Sequence, residues 1–301
     1  MIEIKNLYKT YDGNIALDGL NLCVPDGSIY GLVGTNGAGK STLIKMMAGV
    51  LTPDKGIIEY DGQHVYENNS VKQTISFIPD DLNFANHYTI EELASIYSSL
   101  YNNWSEERFT KIINLFHLDK KRSIRTFSKG MKKQAMFAIV LATSPQYLLL
   151  DEPIDGLDPI IRKLVWKQIV DDVADRGTTV MISSHNLRDL ESICDRVGII
   201  HNGKTIVEKS LETMKEGVNK IQVAFDKRKI ESDSKNIEKL NVIHREKRGS
   251  LELIVTRDSQ ERIKEVLGAT EPLLLDILPL TLEEMFIYEL GGDEYDFKDI
   301  M

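Results

Sequence analysis

The sequence of 301 residues predicts an α/β fold with a largely parallel sheet, and three observations support this class. A glycine-rich loop follows the apolar run from Ser28 to Val33 and precedes a helical segment. The apolar runs Tyr147 to Leu150 and Thr178 to Ser183 are continuous, which is typical of strands covered on both faces of a parallel sheet. Between Thr89 and Ala142 the apolar residues recur at the helical period, which predicts a helical insert.

The first strands are short apolar runs separated by turn residues, up to Asp61-Gly62: Ile2 to Leu7, Leu20 to Val24, Ser28 to Val33 and Ile57 to Tyr60. The helical insert begins with a capping box formed by Thr89 and Glu92. Ser105 begins a second helix with an apolar face that we assign to the core: Phe109, Ile112, Ile113 and Phe116. A further helix ends near Gly177, just before the strand that starts at Thr178.

A smaller α/β unit is predicted after about Met214. Its strands are Lys220 to Phe225, Leu251 to Thr256 and Leu273 to Leu278, and its helices are Ser259 to Leu267 and Thr281 to Leu290. The predicted domains are therefore 1–214, with a helical subdomain at about 82–145, and an accessory domain at 215–301.

Composition excludes several classes of protein. The chain has 42% hydrophobic and 28% charged residues, which is ordinary for a globular protein, and its net charge of −9 has the wrong sign for a nucleic-acid partner. No apolar run reaches the ~18 residues of a membrane span, and the first residues lack the apolar segment of a signal peptide. We expect a cytoplasmic chain that reaches a membrane only through a partner. Cys23 and Cys194 lack the spacing of a metal site, so we interpret both as small core residues.

The strongest motif is G-x-x-x-x-G-K-[ST] between a predicted strand and a predicted helix. It comprises Gly34, Thr35, Asn36, Gly37, Ala38, Gly39, Lys40 and Ser41, followed by Thr42. Glycines let successive backbone N–H groups converge on phosphate oxygens, and the helix N-terminus adds partial positive charge. We predict that Lys40 binds the β- and γ-phosphates of a nucleotide, that Ser41 is a ligand of Mg²⁺ and that Thr42 contacts the α-phosphate side.

A second motif places two acids at the end of a buried strand, in Tyr147 to Pro153. Ligands of open α/β sheets bind at this edge. We predict that Asp151 holds Mg²⁺ through water and that Glu152 polarises the attacking water. Two solvated acids at a strand end are the alternative, and the phosphate loop argues against it.

With these motifs in this order, residues 1 to 210 resemble the ATP-binding cassette (ABC) ATPases, which are P-loop NTPases. The resemblance implies an ABC-type ATPase domain that uses ATP and Mg²⁺. It also implies that Tyr11 stacks on adenine. Phe127-Ser128-Lys129-Gly130-Met131 stands where the family signature LSGGQ is found, with Lys129 in place of the first glycine and Met131 in place of glutamine. Ser128 and the Gly130 backbone are implied to bind the γ-phosphate, and Ser128 is also predicted to cap the next helix.

Three further roles follow from the resemblance. Asp158, in Asp155-Gly156-Leu157-Asp158, resembles the D-loop aspartate that reaches across a dimer interface. His185 resembles the switch histidine that binds the γ-phosphate. Asp80 stands where the family has a glutamine that senses Mg²⁺ and water, and an acid at this position is a candidate metal ligand.

The family resemblance implies an assembly. One chain carries one phosphate loop and one signature, and the family sandwiches each ATP between the loop of one protomer and the signature of another. The implied assembly is a homodimer, or a heterodimer with a second ATPase subunit, beneath separate permease subunits on the inner face of the cell membrane. The segment Pro279 to Phe286 resembles the end of ATPase subunits from bacterial exporters for drugs, peptides or lipids.

Two other functions stay open as alternatives. One is an ABC ATPase of translation or DNA repair, although neither tandem cassettes nor a long coiled-coil insertion is found in the sequence. The other is a regulatory subunit that binds nucleotide without hydrolysing it, and Glu152 and His185 argue against that.

Overall fold

The chain forms two compact units in a computed structural model that describes residues 1–82, 88–216, 218–225, 236–249 and 251–285. The first unit comprises Met1–Asn186 and Ile193–Glu208, and the second comprises Leu187–Ser192 and the chain from Lys209 onward. The boundary predicted from the sequence, after residue 214, lies six residues later. It gives no indication that a short internal segment belongs to the second unit.

The elements of the first part of the chain alternate between strands and helices. The strands are β1 (Ile2–Tyr11), β2 (Asn14–Val24), β3 (Ile29–Val33), β4 (Lys55–Tyr60), β5 (Gln63–His64), β6 (Ile75–Ile78), β7 (Tyr147–Asp151), β8 (Thr179–Ser184), β9 (Arg196–His201) and β10 (Lys204–Ser210). The helices are α1 (Lys40–Met47), α2 (Asn69–Lys72), α3 (Ile90–Leu100), α4 (Glu106–Leu115), α5 (Lys129–Ala142), α6 (Pro159–Arg176) and α7 (Leu187–Glu191).

These strands form two sheets. One has the order β10-β9-β3-β8-β7-β6, and its inner strands pair in parallel, which confirms the predicted parallel sheet. Every residue of β3, β7 and β8 is buried, as the continuous apolar runs predict. The other sheet has the order β2-β1-β4-β5 and is antiparallel, which the sequence does not distinguish.

Alternation along β2 corrects the interpretation of one cysteine. Leu22 and Val24 are buried, whereas Cys23 between them is exposed because successive side chains of a strand point to opposite faces. The assignment of Cys23 to the core was therefore wrong. Cys194 is buried, as predicted.

The helical insert follows its local sequence signals. The Thr89 hydroxyl accepts the Glu92 N–H, and the Glu92 carboxylate accepts the Thr89 N–H, which confirms the capping box. Ser105 caps α4, and the predicted apolar face of that helix is buried. The Arg108 guanidinium joins α4 to α6 through the buried carboxylate of Asp172. The predicted limits of the insert include residues 83–87, which lie outside the described residues.

The second unit contains β11 (Asn219–Ala224), β12 (Val242–Arg248), β13 (Leu251–Thr256) and β14 (Leu274–Leu278), with α8 (Leu211–Glu216) and α9 (Gln260–Gly268). Its sheet is antiparallel and has the order β12-β13-β11-β14. An apolar cluster joins this sheet to α9: Ile221, Val223, Ile254, Ile263 and Leu267. Residues 282–285 are helical, and the rest of the predicted last helix, with Phe286, lies outside the described residues.

Helix α7 belongs to this second unit although it follows β8 in the chain. Its Glu191 carboxylate accepts the backbone N–H of Leu282, and Arg188 pairs with Glu283. Leu190 between them is completely buried. Among the described residues, no helix has both the length and the hydropathy that crossing a membrane requires.

Candidate functional site

The predicted motifs meet at the carboxyl edge of the parallel sheet. Val33 at the end of β3 pairs with Ser184 of β8, and Asp151 at the end of β7 pairs with Ser183. The phosphate loop therefore begins beside the strand that leads to His185, and the two acids lie on the other side of that strand. This is the edge at which open α/β sheets bind ligands.

The phosphate loop needs glycine at two tightly packed positions. A Cβ on Gly34 would collide with the carbonyl oxygen of Ile200. A Cβ on Gly39 would lie 2.5 Å from the carbonyl oxygen of Ala16, and the φ of Gly39 is +103°, which residues with side chains rarely adopt. The loop therefore packs so closely against its neighbours that a side chain at either position would displace it.

Lys40 lies inside the phosphate loop rather than in solvent. Its Nζ donates to the carbonyl oxygens of Gly34 at 2.6 Å and Thr35 at 3.1 Å. Burial lowers the pKa of the Lys40 ammonium, and the negative charges of Glu152 and Asp151 oppose that shift. The cation is therefore held at the loop, where the predicted phosphates would need it.

Asp151 links three elements through one carboxylate oxygen. Its Oδ1 accepts the Ser41 hydroxyl at 3.1 Å and the Ser183 hydroxyl at 2.6 Å, and the residue is almost completely buried. Ser41 lies in the first turn of α1, so this contact joins the phosphate loop to the end of β7. The structure thus brings together two of the three predicted metal ligands.

Glu152 has an unusual backbone conformation. Its φ is +46°, a left-handed conformation that costs a residue other than glycine about 1 to 3 kcal/mol. Its N–H donates to the hydroxyl of Ser183 at 3.0 Å, and its carbonyl oxygen accepts the Nζ of Lys133 at 2.6 Å. Strained backbone of this kind persists where surrounding contacts determine it, often at functional sites.

The side chain of Glu152 pairs with His185. Glu152 Oε2 lies 2.9 Å from His185 Nδ1, and Asp155 places a third ligand atom within 4.8 Å of both. Burial raises the pKa of the Glu152 carboxyl, while His185 and Lys40 oppose the shift. The result is a carboxylate that is more basic than one in water, beside an imidazole that is itself half exposed.

The signature segment lies at the start of α5. The Ser128 hydroxyl accepts the Met131 N–H, which confirms the predicted N-cap. A Cβ on Gly130 would lie 2.7 Å from the carbonyl oxygen of Gly156, so α5 packs closely on the segment that follows β7. In that segment, Asp158 caps α6 by accepting the N–H groups of the first turn.

Two other predicted residues, Tyr11 and Asp80, make no described hydrogen bond to Ser41, Asp151 or Glu152. Tyr11, at the end of β1, is 42% exposed, and its ring has the Lys9 ammonium 5.6 Å from its centroid. An exposed ring of this kind is available for stacking. Asp80 lies just after β6, and its carboxylate is 3.5 Å from the Lys133 ammonium. None of the described contacts joins Asp80 to Ser41 or Asp151.

Sequence reasoning missed three residues of the site: Lys133, Ser183 and Asp155. Ser183 could have been found from the parallel register, because it pairs with Asp151. Asp155 lies within a motif that we identified, although only Asp158 was singled out there. Lys133 gives no local signal, since it is one of three lysines between Lys129 and Lys133.

Comparison with known proteins gives concordant matches. The sequence profile of a family described as "ABC transporter" matches residues 17–155. The ABC transporter ATP-binding protein YtrB of Bacillus subtilis (strain 168) is 33% identical over 97% of this chain and 99% of its own length. The lantibiotic transport ATP-binding protein SrtF of Streptococcus pyogenes is 35% identical over 76% of this chain and 100% of its own length.

A solved structure, described as that of an ATP-binding subunit of an ABC transporter, gives a TM-score of 0.66 at 27% identity. The match covers 71% of this chain and 92% of that one. It confirms the predicted α/β fold of the P-loop NTPase type.

Proposed function

Since the chain belongs to the ABC transporter family of ATP-binding proteins, we propose that it is the ATP-hydrolysing subunit of an exporter whose permease is a separate chain. Membership of the family confirms the prediction of an ATP-binding ATPase domain. The observation that carries the proposed mechanism is the convergence of Lys40, Ser41, Asp151, Glu152 and His185 at one edge of the sheet.

We propose that Ser41, Asp151 and Asp80 hold Mg²⁺. Hydroxyl and carboxylate oxygens are the donors that Mg²⁺ prefers, and Ser41 and Asp151 already lie 3.1 Å apart, so the residues fit the ion. When bound, it would neutralise charge that develops on the β- and γ-phosphates. Lys40 supplies a second positive charge on the same phosphates, and the N–H groups of the loop orient them.

Glu152 is the proposed general base. Its carboxylate is close to Lys40, and its burial makes it a stronger acceptor for a proton of the attacking water. His185 holds Oε2 of that carboxylate, which leaves the other carboxylate oxygen for the water. The same imidazole is proposed to bind the γ-phosphate, so it would respond to whether that phosphate is present.

The assembly is proposed to be a dimer of ATPase subunits. Ser128 and the Gly130 backbone would complete the ATP site of the partner protomer, with Asp158 at the interface between the two. The position of Ser128 and Gly130 at the start of α5 supports this role, because the first N–H groups of a helix can bind an anion. ATP would then hold the dimer closed, and loss of the γ-phosphate would release it.

We propose an exported substrate of the drug, peptide or lipid class, and a location on the inner face of the membrane through the permease. The relation to SrtF, whose name refers to lantibiotic transport, supports the peptide class. Purification from native membranes, followed by identification of any hydrophobic subunit that accompanies the chain, tests this part of the proposal. Association with a ribosome or with DNA instead would favour the non-transport alternative.

The test of catalysis is Glu152→Gln. We expect this variant to bind ATP, to lose turnover and to accumulate as a dimer with ATP in size-exclusion chromatography, because hydrolysis can no longer reopen it. The control is Glu107→Gln at an exposed position of α4, which should hydrolyse ATP as the wild type does. Wild-type turnover in Glu152→Gln would refute the catalytic assignment. A wild-type protein that binds ATP without releasing phosphate would instead support the regulatory alternative.

A further inference from the structure

A buried lysine lies beside the proposed catalytic base and has no role in the mechanism above. Lys133 is on the second turn of α5, and its side chain has no exposed surface. Its Nζ donates to the backbone carbonyl oxygen of Glu152 at 2.6 Å and lies 3.5 Å from Oδ1 of Asp80. An ammonium is among the groups most costly to bury, so these two partners must offset its loss of water.

Lys133 joins three separate segments of the chain. Its own helix carries the signature residues Ser128 and Gly130, the segment after β6 carries Asp80, and the end of β7 leads to Glu152. Asp80 is 43% exposed, so it contacts both solvent and the buried ammonium. A movement of Asp80 or of α5 would therefore shift the Lys133 side chain and, with it, the contact to the Glu152 backbone.

The contact at Glu152 bears on the direction of its carboxylate. The residue has a φ of +46°, and Ser183 already holds its N–H. Lys133 holds the carbonyl on the other side, so both peptide groups that flank the Cα are fixed. Without Lys133, the strained backbone loses one of the contacts that keep it in this conformation.

We propose that Lys133 is a positioning residue, which holds the backbone of Glu152 so that its carboxylate points at the attacking water, and which makes that position depend on Asp80. This inference rests on the proposed function of Glu152 as the base. It assigns to the signature helix a role toward the base of its own protomer, in addition to its proposed role toward the ATP of the partner.

The test is steady-state ATP hydrolysis by Lys133→Met. Methionine has a similar length and volume and needs no partner in a buried position, so we expect the variant to fold. Misplacing a catalytic group by about 1 Å can cost a factor of about 100, so we expect kcat to fall by about 10- to 100-fold. The KM for ATP should stay within about 3-fold of the wild type, because Lys133 does not contact the phosphate loop.

Two further variants test whether a loss of kcat is specific to the Lys133 ammonium. Lys133→Arg keeps a charged donor and should recover part of kcat, and Lys111→Met, at an exposed position of α4, should behave as the wild type. Thermal melting of each variant separates loss of folding from loss of positioning. If Lys133→Met unfolds, kcat of Asp80→Asn at saturating Mg²⁺ is the deciding measurement: a lowered kcat supports the link to Glu152, and a wild-type kcat refutes it.

The dependence on Asp80 is tested by a double-mutant cycle. The cycle is measured at saturating Mg²⁺, so that a weaker proposed metal contact of Asp80 is compensated. Under that condition Asp80→Asn alone should lower kcat, and its effect should largely disappear in the Lys133→Met background, because the route to Glu152 is already broken. Additive effects would refute the link. Wild-type kcat in Lys133→Met would refute the positioning role, whereas absence of hydrolysis in both the wild type and Lys111→Met would refute the proposed function itself.

Discussion

The ion pair between Arg108 and Asp172 allows a quantitative test of how the helical insert is attached. Asp172 is only 6% exposed, and both of its carboxylate oxygens lie 2.5 and 2.6 Å from Nη2 of Arg108. Arg108 also donates through Nε to the carbonyl oxygen of Leu141, at the end of α5. One side chain therefore holds α4, α5 and α6 together.

Truncation of Arg108 should lower the free energy of unfolding substantially. Arg108→Ala leaves a buried carboxylate without its donor, and breaking a buried pair from one side costs about 3 to 5 kcal/mol. Replacement of both partners, as in Arg108→Met with Asp172→Leu, should cost much less because no charge remains buried. Urea unfolding followed by tryptophan fluorescence suits the measurement, since Trp104 lies two residues before α4 and Trp166 lies in α6.

The loss in the free energy of unfolding that Arg108→Ala causes, relative to the wild type, should also depend on pH. Burial raises the pKa of the Asp172 carboxyl, and Arg108 and Arg176 oppose that shift, so the pKa rises further in the variant. The folded variant then binds a proton more tightly than the unfolded chain, whose aspartates have a pKa of about 3.9. The deficit in the free energy of unfolding should be largest above the raised pKa and should shrink as the pH falls toward 3.9. A deficit of less than about 1 kcal/mol that does not change with pH would refute this reasoning, because that is the behaviour of an exposed pair.

Two further predictions concern the nucleotide site. Lys40→Ala should bind ATP about 10- to 100-fold more weakly in calorimetry, because hydrogen bonds to charged groups contribute about 1.5 to 3 kcal/mol, and unchanged binding would contradict the role of the loop. Gly130→Ala should be destabilised by about 1 to 3 kcal/mol and should lose ATPase activity, because its methyl would lie 2.7 Å from the carbonyl oxygen of Gly156. Gly268→Ala is the matched control: no atom lies within 4 Å of the added methyl, so chemical denaturation should show no loss of stability.

Much of the fold was predictable because its signals are local. The capping box of Thr89, the N-cap of Ser128 and the left-handed C-cap of Gly177 each depend on a few adjacent residues. The strand of Tyr147 to Leu150 was predictable from its unbroken apolar run. By contrast, the pairing of β1 with β2 and β4 in a separate antiparallel sheet depends on partners distant in the chain, and short apolar runs do not specify their partners.

The same distinction holds for the candidate site. The phosphate loop and the acids after β7 are contiguous motifs, and the register of the parallel strands then brings Ser41 and Asp151 together. The contacts of Lys133 were not predictable, because they join residues 53 and 19 positions away in the sequence. The exposure of Cys23 is different, because it is local information: Leu20, Leu22 and Val24 are the apolar face of β2, and alternation places Cys23 on the other face.

The membership of α7 in the second unit has a consequence for how the protein is dissected. The first unit is interrupted directly after His185-Asn186: the six residues Leu187–Ser192 belong to the second unit, and the first unit resumes at Ile193. A protein shortened at Lys209 would therefore deprive Glu191 and Arg188 of their partners at Leu282 and Glu283, within a few residues of the proposed switch histidine. Deletion of the C-terminal region therefore removes contacts from residues that lie three to six positions after His185 in the sequence, and altered turnover in such a truncated protein would not by itself reveal a separate regulatory module.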